Sequence, residues 1–152
     1  MQTEHPVDQW VSDLGRHYDI ADLRLNDQGI MALSIGDGLS VHMQAIADTR
    51  TVVFYASVVQ MNEPLRPELL VSMLQANRFW HETGGATLSL DDRQPPRAIL
   101  AQPLRFQDLD SPKLIEAFEN FAGALQAMNE WLARETQATG SGGEAAHLMQ
   151  LA

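Results

Sequence analysis

The residues best suited to acid–base or metal chemistry are five histidines: His5, His17, His42, His81 and His147. Two imidazoles one helical turn apart would hold zinc, but no pair has that spacing, and neither an HExxH segment nor a calcium-loop pattern occurs. His81-Glu82 sets a base beside a carboxylate with no nucleophile or orienting group near it in the chain. Just before Gly84-Gly85, the histidine suits the negative end of a helix instead. Adjacent carboxylates at Asp91-Asp92 would point to opposite faces of a strand, so a turn accounts for them better than a metal site. The pairs Gly36/Gly38 and Gly84-Gly85 lack the spacing of a phosphate loop, and there is no GxSxG elbow. The expectation is no catalytic residue, no metal and no cofactor.

Methionine is the more informative side chain. Met31, Met43, Met61, Met73 and Met128 fall on or beside apolar faces. They read either as core filling or as an adaptable groove for varied apolar side chains, since an unbranched thioether repacks easily. Charge narrows the partners. Ten Lys+Arg against 20 Asp+Glu leave a net charge of -10 on 152 residues. Lys113 is the lone lysine and the arginines are scattered, which argues against nucleic acid and against anionic membrane surfaces. With no cysteine, disulfides and thiol chemistry drop out. No apolar run approaches the ~20 residues that span a bilayer, and MQTEHPVDQW lacks the basic start and apolar stretch of a signal peptide. A soluble, acidic, cytoplasmic single domain is the expectation.

These residues must be positioned by a small set of elements. After Pro6, Val7, Trp10, Val11, Leu14 and Tyr18 recur at three- and four-residue spacing, an amphipathic helix. Asn26-Asp27-Gln28-Gly29 and Gly36-Asp37-Gly38 are turns. Alternation on both sides of the second, through Met31, Leu33 and Ile35 and then Leu39, Val41 and Met43, predicts a hairpin. A third strand, Thr51 to Val59, is apolar on both faces and is expected to be covered twice. Pro64 and Pro67 open a second helix with Leu69, Leu70, Met73, Leu74, Asn77 and Trp80 on one face. Val71 and Phe79 project from the other half, which suggests a helix buried on two sides, the second by another subunit. Ala86 to Leu90 and Arg97 to Phe106 read as two further strands. Ser111-Pro112 then caps a long helix with a stripe from Leu114 through Phe118, Phe121, Leu125 and Met128 to Leu132. The order is helix, three strands, helix, two strands, helix: an α+β sandwich with helices on a mostly antiparallel, twisted sheet. Residues 1–136 form the domain. Residues 137–152 read as a flexible tail, in which Thr139 to Gly143 is a linker and the octapeptide Ala145 to Ala152 is either a frayed end or a docking peptide, the frayed end being the favoured reading.

This order, together with three local patterns, resembles the class I type III secretion chaperones, the Tir chaperone family. The patterns are Leu23-x-Leu25-x-x-x-Gly29 before the first strand, Leu74-Gln75-Ala76-Asn77 at the end of the second helix, and Gly85-Ala86-Thr87-Leu88-Ser89-Leu90-Asp91 in the strand that follows. The resemblance spans roughly residues 7–133 and implies a bacterial cytoplasmic homodimer without enzymatic activity, ATP or metal. Its dimer interface is built from the second helix and a late strand, here Leu70, Val71, Leu74, Phe79, Trp80 and Ile99. Relatives hold an N-terminal segment of a secreted effector in extended form, with apolar anchors in grooves and, in some cases, ligand backbone added to a sheet edge. By analogy the grooves fall at Trp10, Val11 and Leu14 on the first helix and at Leu33, Ile35, Val41 and Met43 on the sheet, though each of these also reads as core. The partners so implied are effector proteins and, beyond them, the secretion ATPase or a regulatory protein. The alternative on the same scaffold is a regulator that sequesters an anti-activator of secretion genes.

Overall fold

The computed structural model describes residues 6–36, 38–58 and 66–141, with side chains as far as Glu135. Its elements are α1 (Pro6–His17), β1 (Ile30–Ile35), β2 (Leu39–Ile46), β3 (Thr51–Ser57), α2 (Pro67–Ala76), β4 (Thr87–Leu90), β5 (Ala98–Arg105) and α3 (Ser111–Ser141). The expected order is the observed one. His5, Asp37, Val59, Met61, Pro64, His147 and the terminal octapeptide lie outside the described residues.

One antiparallel sheet of five strands has the order β1-β2-β3-β5-β4. The period-two pattern sorts its side chains cleanly. Met31, Leu33, Val41, Met43, Val52, Phe54, Ala56, Leu88, Ala98 and Leu100 are buried on the inner face. There they meet Val7, Val11 and Leu14 of α1 and the α3 stripe Leu114, Phe118, Phe121, Leu125, Met128 and Leu132. Phe54 anchors this layer, 5.7 Å from Phe121 and 6.0 Å from Phe118 between ring centroids. The outer face carries Ala32, His42, Tyr55, Ala101 and Thr87 in one cross-strand row, with His42 stacked on Tyr55 at 5.2 Å. Val53, Tyr55 and Ile99 are only half-buried there. The two-sided β3 is thus covered on one face by this chain's helices, while its other face meets no helix among the described residues.

Two helix ends differ from expectation. Asp110, not Ser111, caps α3: its C=O accepts the Leu114 N–H at 2.9 Å and its Oδ1 accepts the Lys113 N–H at 2.8 Å. Ser111 is freed to donate its hydroxyl to Asp13 Oδ2 at 2.5 Å, tying α3 to α1. At the other end α3 runs through Thr139 and Gly140 to Ser141, where a linker was expected. Extending an existing helix fixes one residue per added bond, so a single glycine, costing about 1 kcal/mol, does not stop it. Gly15 shows how tightly the segment after α1 folds back. A Cβ there would lie 2.9 Å from Leu23 Cβ and 3.0 Å from the Ile20 carbonyl oxygen.

Candidate protein-binding surfaces

In α2 the buried positions are Leu69, Met73 and Ala76, spaced by four and three. The remaining large apolar residues turn outward: Val71 is 53% exposed, Leu74 71%, Phe79 82% and Trp80 55%, while Leu70 is half-buried. Leu74 and Trp80, expected on the inner stripe with Met73, therefore stand on the surface. For Leu74 the cause is phase: the buried stripe at 69, 73 and 76 leaves it about 100° away. Trp80 is displaced by a kink. The helix gives way to a 3₁₀ turn, Arg78–Trp80, in which Phe79 (φ 62°) and Trp80 (φ 56°) take the left-handed conformation. Two such non-glycine residues in succession cost on the order of 1–2 kcal/mol each and persist only where neighbours hold them. The Gly85 N–H bonds to the Trp80 carbonyl at 3.0 Å, and Gly84 sits so close to α3 that a Cβ would meet Ala124 at 3.1 Å. Sequence reading had no signal for this strain. Beside it Thr83 is fully buried, with no hydrogen-bond partner for its hydroxyl among the described residues.

The residues assigned by analogy to grooves separate into two groups. Val11, Leu14, Leu33, Val41 and Met43 are sealed in the core, so in this conformation they offer no surface to a ligand. Trp10 and Ile35 are half-buried at its margin, with Leu23, Leu25 and Leu39. Trp10 lies edge-on to Phe106 at 5.8 Å. Among the proposed interface residues, Ile99 lies on the outer sheet face between Ser57 and Ser89, apart from the exposed row of α2.

Sheet edges are the other places where a polypeptide can attach. The Ala45 N–H bonds to the Gly29 carbonyl at 2.8 Å, which sets the alternation along β1. Met31, Leu33 and Ile35 bond to β2, whereas Ile30, Ala32 and Ser34 direct their backbone groups outward. Ile30 is satisfied by Asn26, whose Oδ1 takes its N–H at 3.0 Å and whose own N–H reaches its carbonyl at 2.9 Å. Ala32 and Ser34 have no backbone partner on that side among the described residues, and their small side chains are exposed. On β4 the Asp91 N–H bonds to the Arg97 carbonyl at 3.0 Å, so Leu88 and Leu90 face outward. Here the Asn77 amide acts as a short extra strand. Its Oδ1 accepts the Leu88 N–H at 2.7 Å and its Nδ2 donates to the Leu88 carbonyl at 2.9 Å. Pro103 of β5 faces beyond the start of β4, where its missing N–H costs no ladder bond.

Polar contacts elsewhere join elements without forming a reactive cluster. Asp13 accepts from Ser111, from Gln9 at 3.0 Å and from Arg16. The Ser111 hydroxyl, more than any other contact, holds its carboxyl below the ordinary carboxylate range. Glu119 Oε1 receives the Tyr18 hydroxyl at 3.1 Å and lies 3.2 Å from His17 Nε2. Burial and this carboxylate push the Tyr18 phenol up. Among the described residues no group of three or more His, Asp or Glu is placed to hold a metal ion, and no helix is long and apolar enough to cross a membrane.

The described residues thus form an antiparallel sheet backed on one face by α1 and α3, with an exposed aromatic turn after α2. The sequence pattern of the Tir chaperone protein (CesT) family matches residues 9–129, and the chain belongs to that family. Its fold is that of solved type III secretion chaperones. It aligns with a chain of the ExsC–ExsE complex at a TM-score of 0.69 and 19% identity, covering 88% of this chain and 96% of that one. For the HopA1–SchA chaperone–effector complex the figures are 0.65 and 17%, over 84% and 94% of the two chains. For the ExoU–SpcU complex of the Pseudomonas aeruginosa type III secretion system they are 0.58 and 19%, over 83% and 93%. No curated protein matches the chain.

Proposed function

We propose that this chain is a non-enzymatic, cytoplasmic chaperone of a bacterial type III secretion system. It holds an N-terminal segment of a secreted effector in extended form and delivers it to the export apparatus. The observation that carries this reading is the β1 edge. Ala32 and Ser34 offer backbone groups that no described residue pairs, beside half-buried Ile35 and Leu25, so a strand laid there gains main-chain bonds and an apolar shelf for alternate side chains. Membership of the family and a likeness to chains solved in chaperone–effector complexes support it.

The test is Ala32→Pro. Proline is tolerated on an edge strand where the N–H faces outward, so the fold should survive while one donor to the ligand is lost. Titration calorimetry with effector N-terminal segments should show at least about a tenfold loss of affinity, equal to ~1.4 kcal/mol. Unchanged affinity in a folded variant would sink the edge as the attachment site. The identity of co-purifying partners separates this reading from the regulatory one, since a secretion-gene control protein would take the place of an exported effector.

The chain works as a homodimer through α2 in this proposal. Along one exposed face, Glu68 precedes Val71 and Leu74, and Arg78 follows them. A two-fold axis across that face would set each Glu68 against the partner's Arg78 with the apolar residues between, the self-complementarity an isologous interface needs. Val71→Asp and Leu74→Asp should each shift the mass seen by light scattering from two chains to one. A dimer retained in both would exclude this face.

A further inference from the structure

Of the seven large apolar residues that stand exposed among the described residues, four lie on α2 or in the turn after it: Val71, Leu74, Phe79 and Trp80. Exposed apolar surface is therefore concentrated at this helix. Val71 and Leu74 occupy the middle of the proposed dimer face, which leaves the two aromatic rings at its end. We infer that the Phe79–Trp80 turn is a clasp that closes over Pro67, the first residue of α2, in a second copy of this chain. The inference rests on the α2 dimer reading and extends it to both ends of the paired helices.

Three observations favour a second copy as the occupant. Register comes first. A two-fold axis perpendicular to α2 runs the paired helices antiparallel, so one step back along one matches one step forward along the other. The alignment that sets Glu68 against the partner's Arg78 brings Val71 beside the partner's Leu74 and carries Pro67 to the partner's Phe79. Opposite charges and apolar residues thus coincide in a single alignment. Display comes second. Arg78 ends the exposed row, and its guanidinium carbon lies 5.8 Å from the centre of the Phe79 ring, which holds that ring beside the row. The left-handed turn is pinned by the Trp80 N–H on the Asn77 carbonyl at 3.1 Å and by the Gly85 N–H on the Trp80 carbonyl at 3.0 Å. The rings are already in place, so little ordering is lost on contact. Pro67 is exposed and has no N–H to strand beneath them. Area is the third. The ten residues of α2 run only about 15 Å, whereas a stable interface takes roughly 800 Å² from each partner. A covered Phe or Trp contributes about 150–250 Å², so a clasp at each end supplies what the short helix face lacks.

The chain has no cysteine, so introduced ones report without background. In Pro67→Cys/Phe79→Cys, at a concentration that keeps the variant dimeric, a short bis-maleimide should join two chains. Within one chain the two positions stand about 18 Å apart at the helical rise, too far for the reagent. Phe79→Asn keeps a residue type that tolerates the left-handed backbone. It should stay folded, while sedimentation gives a dimer dissociation constant raised at least about tenfold. A parent dimer that Val71→Asp breaks, but that fails to cross-link or keeps its dissociation constant in Phe79→Asn, would overturn the clasp and leave the α2 dimer standing. A monomeric parent would overturn both. Loss of effector affinity in Phe79→Asn with the dimer intact would also overturn the clasp, by giving the turn to the ligand.

Discussion

Each edge of the sheet is met by an asparagine, and the two asparagines do different work. On β4 the Asn77 side chain takes both backbone groups of Leu88, replacing a missing strand with one amide. On β1 Asn26 occupies the groups of Ile30 only, and the strand runs on past it with Ala32 and Ser34 unpartnered among the described residues. A natural sheet usually guards its edges with charge, proline or a covering element. Here the amide takes the buried Leu88 position of β4 and leaves the exposed Leu90 facing outward, while on β1 two small, exposed residues follow the capped one. That contrast is the basis on which the β1 edge is proposed as the place where a polypeptide is added.

Breaking the closed edge should have the largest effect. Asn77→Ala leaves the N–H and C=O of Leu88 unpaired in a part-buried site. Each orphaned group costs about 1–3 kcal/mol, so chemical denaturation should reveal a loss at the upper end of that range. Faster exchange of the Leu88 amide should accompany it. A variant as stable as the parent would mean that water replaces Asn77 without penalty, and the two edges would then be alike. Asn26→Ala should cost less, about 1 kcal/mol, because the bonds it makes to Gln28 and Ile30 are exposed. Its informative readout is whether effector affinity changes, since freeing Ile30 lengthens the open edge. The smallest effect is expected at Asp13, remote from both edges. Its carboxyl is held below the ordinary range in the folded chain, so its contribution is present above that range and is lost as pH falls through the lowered value, below about pH 4. Asp13→Asn should flatten the acid side of the melting-temperature profile and leave the difference between the two edges untouched.

The inner layer was legible from the chain because burial imposes a period. The α3 stripe from Leu114 to Leu132 and the alternation of Met31, Leu33, Val41 and Met43 reappear as the core. Those same sheet residues could not be distinguished in advance from a ligand groove. A residue facing a helix and one facing a bound peptide present the same apolar letter, and only the arrival of α1 and α3 over that face closes the space. Asn77 stood in the sequence as part of a pattern without a role, since its partner, Leu88, is a backbone position that leaves no mark on residue type. Likewise Phe79 and Trp80 carry none of the glycine or asparagine that normally announces a left-handed turn, so their outward display was hidden.

By itself, then, the amino-acid order determined which segments are helix and strand, that the sheet is antiparallel, and that chemistry by metal or thiol was not to be expected. These follow from local spacing and side-chain type, which act over a few residues. Tertiary structure alone decided which apolar residues are sealed, which edge positions each asparagine takes, and that α2 turns Leu74 outward. Those depend on which distant segment arrives beside each surface, and hydrogen bonds between backbone groups are formed without regard to the letters that carry them.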